Sequence, residues 1–236
     1  MITQQPFLDS YTNFLIKKGL SSPNISLWEG KMGIAIYLFH LNRITKNKKY
    51  ENRAFEFIEE ILNDLSHNIS LSYATGLLGI GSGYQYILSN EFAYGDSDEL
   101  LEEIDSIAIH SIDTRPSQSF NSLSLASGIC GIGFYLYLRL KNTTNNNDSL
   151  ASLKNMEYLI YLIDWIEELL LKTNNKQNIN DTYFLLCRLH KLNVINFKVE
   201  EIISFCLDKI KKLNISLHDN YDLLGINSLK LLKLWI

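Results

Sequence analysis

The sequence repeats one glycine-punctuated phrase three times: Ser26-Leu-Trp-Glu-Gly30-Lys-Met-Gly33-Ile34-Ala35, Ser72-Tyr-Ala-Thr-Gly76-Leu-Leu-Gly79-Ile80-Gly81 and Ser124-Leu-Ala-Ser-Gly128-Ile-Cys-Gly131-Ile132-Gly133. In each copy a serine is followed four residues later by a glycine, three residues after that by a second glycine, and then by isoleucine. The first glycines of successive copies are 46 and 52 residues apart. Self-similarity at such a period is typical of repeat architectures, in which each repeat is one supersecondary unit.

Each phrase leads into an apolar, aromatic-rich segment, which is followed by an amphipathic segment with helical periodicity. The amphipathic segments are 49–65, 98–109, 156–171 and 199–213. A helix that is apolar all round has to be buried, whereas a helix with one apolar stripe can cover it. The sequence therefore predicts an all-α protein of helical hairpins, with inner and outer helices that close into a ring or an arc.

The glycines of the phrases have a predicted structural role. A glycine inside a helix costs about 1 kcal/mol relative to alanine, so recurring glycine pairs predict positions where backbones pack closely. We assign this role to seven repeat glycines: Gly30, Gly33, Gly76, Gly79, Gly128, Gly131 and Gly225.

Two weaker copies complete the predicted array. An apolar helix without glycine is predicted near residue 180, and the stretch from His218 to Ile226 keeps only the second glycine and the isoleucine. The Asn-rich stretches 142–148 and 173–178 are interpreted as solvated loops, because asparagine side chains compete for backbone hydrogen bonds. We expect about five hairpins in a single domain over 1–236, with repeats opening near 26, 72, 124, 180 and 218.

Composition excludes several classes of protein. A net charge of −4 argues against nucleic-acid binding, which needs a surplus of lysine and arginine. We expect no signal peptide in 1–20 and no membrane span, since no apolar run approaches the roughly 18 residues required. Three cysteines without framework spacing predict a reducing, cytoplasmic environment.

The repeated phrase resembles that of the lanthionine synthetase C-like (LanC-like) family, whose repeats open with Ser-x-x-x-Gly-x-x-Gly-Ile. The resemblance is strongest over roughly residues 24–140. It implies an α/α toroid, a ring of inner helices wrapped by outer ones. The family's full ring has seven hairpins, so about five hairpins imply an incomplete ring, with self-association through its open edges as one expectation.

The resemblance also implies thioether formation, but the family's zinc-ligand motifs are missing from this sequence. Family cyclases add a peptide cysteine thiolate across a dehydrated residue to form a thioether, with zinc holding the thiolate. The family's Trp-Cys-Tyr-Gly and Cys-His-Gly stretches, which supply zinc ligands, are absent here. Ser124 stands where the family's third repeat carries an aspartate. The resemblance by itself would imply zinc as a cofactor. Because the ligand stretches are absent, we expect a family member without the zinc site and predict no cofactor.

Candidate site residues remain few. Cys187-x-x-His190, Cys206 and Cys130 could bind a metal, but zinc needs four converging ligands, and cysteines on apolar helices are commonly packing residues. Glu29, Ser124 and Asp222 are the candidates for a polar functional role. The acidic stretch 96–105 is interpreted as a solvated helix face.

Three functions follow from this pattern. The first is a zinc-less homologue in ribosomal peptide modification that binds a precursor peptide or a modification enzyme. The second is an active thioether-forming cyclase with a non-standard site or one completed by a partner chain. The third is a carbohydrate-active enzyme, since α/α toroids also house glycosidases, which use paired carboxylates.

Overall fold

A computed structural model describes residues 5–65, 69–115, 122–141, 150–216 and 228. Within these ranges the chain forms nine α-helices and one 3₁₀ turn, and no β-strand. The prediction of an all-α protein is confirmed. The described residues form two compact units, the first with residues up to Ser70 together with Ser228 and the second beginning at Leu71. A single domain over the whole chain stays a prediction.

The described part of the first unit up to residue 65 contains three helices, which are α1 (Gln5–Ser21), α2 (Lys31–Thr45) and α3 (Lys48–Asp64). Helix α2 is buried over nearly all of its length, whereas α3 buries one stripe, made by Ala54, Phe57 and Ile61. Helices α2 and α3 pack as a hairpin, as the apolar and amphipathic patterns predict.

The second unit contains three successive hairpins. They are formed by α4 (Leu77–Ser89) with α5 (Ser97–Thr114), α6 (Ile129–Lys141) with α7 (Leu150–Lys172), and α8 (Lys176–Leu189) with α9 (Asn196–Leu213). A 3₁₀ turn, His190–Leu192, lies between the helices of the last hairpin. Helix α6 packs against both α4 and α8, so it lies between the first helices of the other two hairpins of this unit.

The phrases mark where the buried helices begin. Gly30 and Gly76 are the N-terminal capping residues of α2 and α4, and α6 begins one residue after Gly128. Gly33 and Gly79 lie inside the first turns of their helices and are buried. The glycine phrase is thus a helix-start signal in all three copies.

Three features differ from the sequence expectations. The first is α1, which the repeat pattern does not include. The second is α7, which begins at Leu150, before the expected residue 156. The third is the Asn-rich stretch 173–178, where the loop ends at Asn175, because its side chain accepts a hydrogen bond from Asn178 N (3.1 Å) and caps α8. No described helix is long and apolar enough to span a membrane.

Candidate functional site

The turn before α6 closes over the first glycine of the third phrase. Ile129 N donates to Ser122 O (3.0 Å), and Ser124 N donates to Ser122 Oγ (3.1 Å). A Cβ atom on Gly128 would collide with Ser122 O and lie 2.8 Å from Ser122 Oγ. No side chain fits at Gly128 while these hydrogen bonds are made.

The first phrase uses the same arrangement with a different residue. Lys31 N donates to Asn24 O (2.9 Å), and Ser26 N donates to Asn24 Oδ1 (2.9 Å). A Cβ atom on Gly30 would lie 2.6 Å from Asn24 O. Gly30 has a φ of −108°, which any residue can adopt, so the requirement is for space rather than for backbone freedom.

The turns of the second and third phrases are joined to each other. Ala126 O accepts hydrogen bonds from Ala74 N (2.9 Å) and from Ser72 Oγ (2.8 Å). At the second glycine of the third phrase, a Cβ atom on Gly131 would lie 2.9 Å from Tyr73 Cβ. Gly131 therefore allows the two turns to lie in contact.

A buried carboxylate joins the third phrase to the next hairpin. Asp181, on α8, is 2% exposed, and its Oδ2 accepts a hydrogen bond from Leu125 N (2.8 Å). Its Oδ1 accepts a hydrogen bond from Gln177 Nε2 (2.7 Å). We call the turns 72–76 and 124–128, together with Asp181, the stitched turns. They form the most extensive polar arrangement at the starts of the second unit's buried helices.

Ser124 lies within the stitched turns as a turn residue. It is half-buried, and its Oγ accepts a hydrogen bond from Ser127 N (3.3 Å), just as Ser72 Oγ accepts one from Thr75 N (3.2 Å). Glu29, in the first unit, is exposed. Asp222 and Gly225, together with the weak repeat near 218, lie outside the described residues.

Two of the three thiols, those of Cys130 and Cys206, are buried. Cys130 is fully buried, and its Sγ is 3.6 Å from Thr182 Oγ1, on α8. Burial raises the pKa of the Cys130 thiol far above its usual range, and burial raises the pKa of Cys206 to about 12. Cys187 is half-buried. A catalytic or zinc-binding cysteine needs the opposite shift, because the reactive species is the thiolate.

His190 lies apart from the stitched turns. Its Nε2 is 2.8 Å from Glu200 Oε1, at the surface of the last hairpin. Among the described residues, no group of three or more histidine, cysteine, aspartate and glutamate side chains could hold a metal ion. Cys130, Cys187, His190 and Cys206 therefore do not form a ligand set in the part of the chain that the structure describes.

A second buried polar cluster lies among α4, α5 and α6. Arg139 is 2% exposed and Asp105 is 7% exposed. Arg139 Nε donates to both carboxylate oxygens of Asp105 (3.1 Å each), and Nη2 donates to Asp105 Oδ2 and to Asp98 Oδ1 (2.8 Å each). Nη1 donates to Gln85 Oε1 (2.7 Å), and Tyr135 completes the cluster by donating its hydroxyl to Asp105 Oδ1 (2.6 Å). We call these five residues the Arg139 cluster.

The charges in this cluster stabilise one another. Burial alone would lower the pKa of Arg139, but the hydrogen bonds and charge of Asp105 outweigh it and raise that pKa. Burial raises the pKa of Tyr135 well above its usual value, and the negative charge of Asp105 adds to the shift. The interpretation of 96–105 as a solvated helix face is therefore wrong at Asp105, since Arg139 binds this carboxylate inside the protein.

The repeat pattern does not identify Asp181 or Arg139, although each is a charged residue within a helix of mainly apolar or buried residues. Arg139 follows an unbroken apolar run in α6, and Asp105 continues the buried stripe of α5 one residue after Ile104. An arginine in an apolar helix requires a buried carboxylate partner, since an unpaired buried charge is costly. Asp181 is in the equivalent situation, because it lies among buried residues of α8.

The buried carboxylates of both polar clusters are hydrogen-bonded within the protein. In the Arg139 cluster the cation faces two carboxylates and an amide, and in the stitched turns Asp181 faces a backbone N–H and an amide. Such hydrogen bonds hold the turns and helices in place. They leave neither of the buried carboxylates, Asp105 and Asp181, placed as a free acid or base, and they indicate a structural role for both clusters.

The family model for "Lanthionine synthetase C-like protein" matches residues 21–186 of the chain. The match covers all three glycine phrases and ends at residue 186, within α8. A comparison with curated proteins finds no match.

Proposed function

The chain belongs to the lanthionine synthetase C-like family, and we propose that it acts in ribosomal peptide modification by binding peptide without forming thioether rings itself. The proposed ligand is a precursor peptide that carries cysteines and dehydrated residues. The odd number of cysteines fits a cytoplasmic setting for this role.

The observation that carries this proposal is the environment of the thiols. Thioether formation requires a thiolate, which zinc stabilises by lowering the thiol pKa. Burial raises the pKa of both Cys130 and Cys206 instead, and Cys130 contacts Thr182 within the interior. This supports a packing role for the two thiols.

A proton donor is also needed in the cyclase reaction. Addition of the thiolate to the double bond leaves an enolate, whose carbon must be protonated by an acid within hydrogen-bond reach. Ser124 lacks an acidic proton of suitable pKa, and Asp181 is engaged by Leu125 N and Gln177. The described groups of the stitched turns thus supply no acid that is placed for this step, which supports a role without catalysis.

The test uses a panel of full-length ribosomal precursor peptides that have been dehydrated but not cyclised. Binding is measured by fluorescence anisotropy with and without added zinc. Ring formation leaves the mass unchanged but consumes a thiol, so it is followed by N-ethylmaleimide labelling and mass spectrometry. We expect at least one precursor to bind and no loss of its thiols over the time of the assay.

Two results would overturn the proposal. Loss of peptide thiols that depends on the protein would make it a cyclase, and Cys130→Ser, Cys187→Ser and Cys206→Ser variants would then identify any thiol involved. Failure of every precursor to bind would remove the peptide-binding function. Thiol labelling of the native protein at pH 8 is a further check, for which we expect Cys130 and Cys206 to react only after unfolding.

A further inference from the structure

Helix α1 has a fixed inner face. Thr12 Oγ1 and Tyr37 Oη, the latter on α2, are 2.8 Å apart, and both residues are buried. Leu15 is also buried, and Gly19 lies so close to Phe57 of α3 that a Cβ atom would be 2.6 Å from its ring. These contacts define the orientation of α1 within the first unit, and the opposite side of the helix is exposed.

The outward side of α1 is aromatic and basic. Phe7 is 61% exposed, Phe14 is 59% exposed, and Ser21 follows at the same seven-residue spacing. Lys17 and Lys18 flank this line three and four residues after Phe14, so they lie on its side of the helix. Phe14 is held by Tyr11, whose ring stacks on it at a centroid distance of 6.4 Å.

A groove of about 620 Å³ lies along the second half of this side. Its lining is formed by Phe14, Lys17, Lys18, Leu20 and Ser21. Phe14 and Leu20 supply exposed apolar surface, and the two lysines supply positive charge. We call these five residues together with Phe7 the α1 face.

Lys17 and Lys18 form no ion pair with a carboxylate that the structure describes. In the described part of the chain, three lysines have a carboxylate oxygen within 4.0 Å of their Nζ: Lys31, Lys48 and Lys198. Lys17 and Lys18 are not among them. Two adjacent exposed lysines in a chain of net charge −4 form a local basic site. A ligand that supplies carboxylates would complement it.

We propose that the α1 face docks an acidic amphipathic helix of the bound peptide, an inference that rests on the proposed function. Phe7 and Phe14 are seven residues apart, about two helical turns, so they lie on the same side of α1 and offer a helical ligand two aromatic contacts. Apolar residues of the peptide helix enter the groove between Phe14 and Leu20, and its glutamate or aspartate side chains pair with Lys17 and Lys18. The bound peptide helix is thus apolar on the side that enters the groove and carries carboxylates where it faces the two lysines.

The experiment uses a fluorescein-labelled 14-residue peptide with leucine at the first and fourth positions of each heptad and glutamate at most other positions. A twin with lysine in place of glutamate is the ligand control. We expect the acidic peptide to bind and its basic twin not to bind. Binding should weaken as salt is raised, since the lysines are exposed.

Matched variants locate the site. Lys17→Glu with Lys18→Glu should weaken binding at least about tenfold, because like charges then face each other, and Phe14→Ala should weaken it about fivefold. Lys211→Glu with Lys212→Glu reverses another adjacent pair in the last turn of a helix, and Phe197→Ala removes another exposed phenylalanine. Both controls should leave the affinity unchanged.

Three outcomes overturn the proposal. If dehydrated precursors bind the wild-type protein and the Lys17/Lys18 variant equally well, the docking site is wrong while the proposed function stands. If precursors bind but the acidic peptide does not, the inferred ligand chemistry is wrong. If the protein forms a dimer that Phe14→Ala abolishes, a second copy of the chain covers the α1 face. Failure of all precursors to bind would instead reject the proposed function.

Discussion

Arg139 and the Lys17–Lys18 pair are cations in opposite environments, the first buried and the second exposed. Arg139 is almost fully buried and uses all three of its guanidinium nitrogens on Asp105, Asp98 and Gln85. Lys17 and Lys18 are exposed on α1, beside the exposed ring of Phe14. One group of charges is satisfied within the fold, and the other leaves its charge available to a ligand.

The difference separates charges that stabilise from charges that bind. Breaking a buried pair leaves an uncompensated charge in the interior, so the cost falls on the free energy of unfolding. Changing an exposed, unpaired charge costs little stability, so its effect falls on affinity. Each prediction below changes one side of this comparison, beginning with the largest expected effect.

Replacement of Asp105 should have the largest effect. Asp105→Ala leaves the buried Arg139 with the partly exposed Asp98 as its remaining carboxylate partner. We expect a loss of about 3–5 kcal/mol in the free energy of unfolding, measured by urea denaturation. Asp105→Leu combined with Arg139→Met removes both charges and should cost much less. Equal losses in the two variants would show that the Arg139 cluster is not held by its charges.

The first glycine of the third phrase should come next. Gly128→Ala places a Cβ atom against Ser122 O, so the turn must open, and we expect a loss of about 2–3 kcal/mol in thermal or urea unfolding. Gly95→Ala is the matched control, because its Cβ atom would meet only Leu88, at 3.6 Å. A Gly128→Ala variant as stable as the Gly95→Ala variant would contradict the close approach at this turn.

Asp181 tests the stitched turns directly. Asp181→Ala leaves the buried N–H of Leu125 without its acceptor, and we expect a loss of about 1–2 kcal/mol. Hydrogen exchange at the Leu125 amide should accelerate more than at Ala74, whose acceptor is Ala126 O. Asp181→Asn keeps an acceptor oxygen and should recover part of the loss. Unchanged exchange at Leu125 would refute this role of Asp181.

The smallest stability effect is expected at the α1 face. Lys17→Glu with Lys18→Glu should reduce the free energy of unfolding by no more than about 1 kcal/mol, through the unfavourable charge near the end of α1. The Lys211/Lys212 double variant should show a similar loss, since it makes the same change near the end of α9. A much larger loss at α1 would mean that Lys17 or Lys18 is part of the fold's own stabilisation.

Much of the fold could be predicted because the signals are local. The phrase around Gly128 predicts a helix start, and the apolar run after it predicts a buried helix; α6 has both properties. The amphipathic stripe of α3 likewise predicts a covering helix. Helix α1 has no phrase before it, so the repeat pattern gave no indication of it.

The polar partners could not be predicted in the same way. Asp105 and Arg139 are 34 residues apart, and Leu125 and Asp181 are 56 residues apart. Helical periodicity places a side chain on one face of its own helix but does not specify which residue of another helix lies opposite. For this reason the sequence pattern alone groups Asp105 with its exposed neighbours in the acidic stretch.

The sequence by itself determined the helical repeats, the positions of their glycines and the resemblance to the LanC-like family, which the family match confirms. These properties depend on residue type and spacing along the chain. Only the tertiary structure decided that Asp105 and Asp181 are buried and bonded, that Cys130 and Cys206 lie in the interior, and that Lys17 and Lys18 face outward. The physical reason is that burial and pairing depend on which helices pack together, and packing joins residues that are far apart in the sequence.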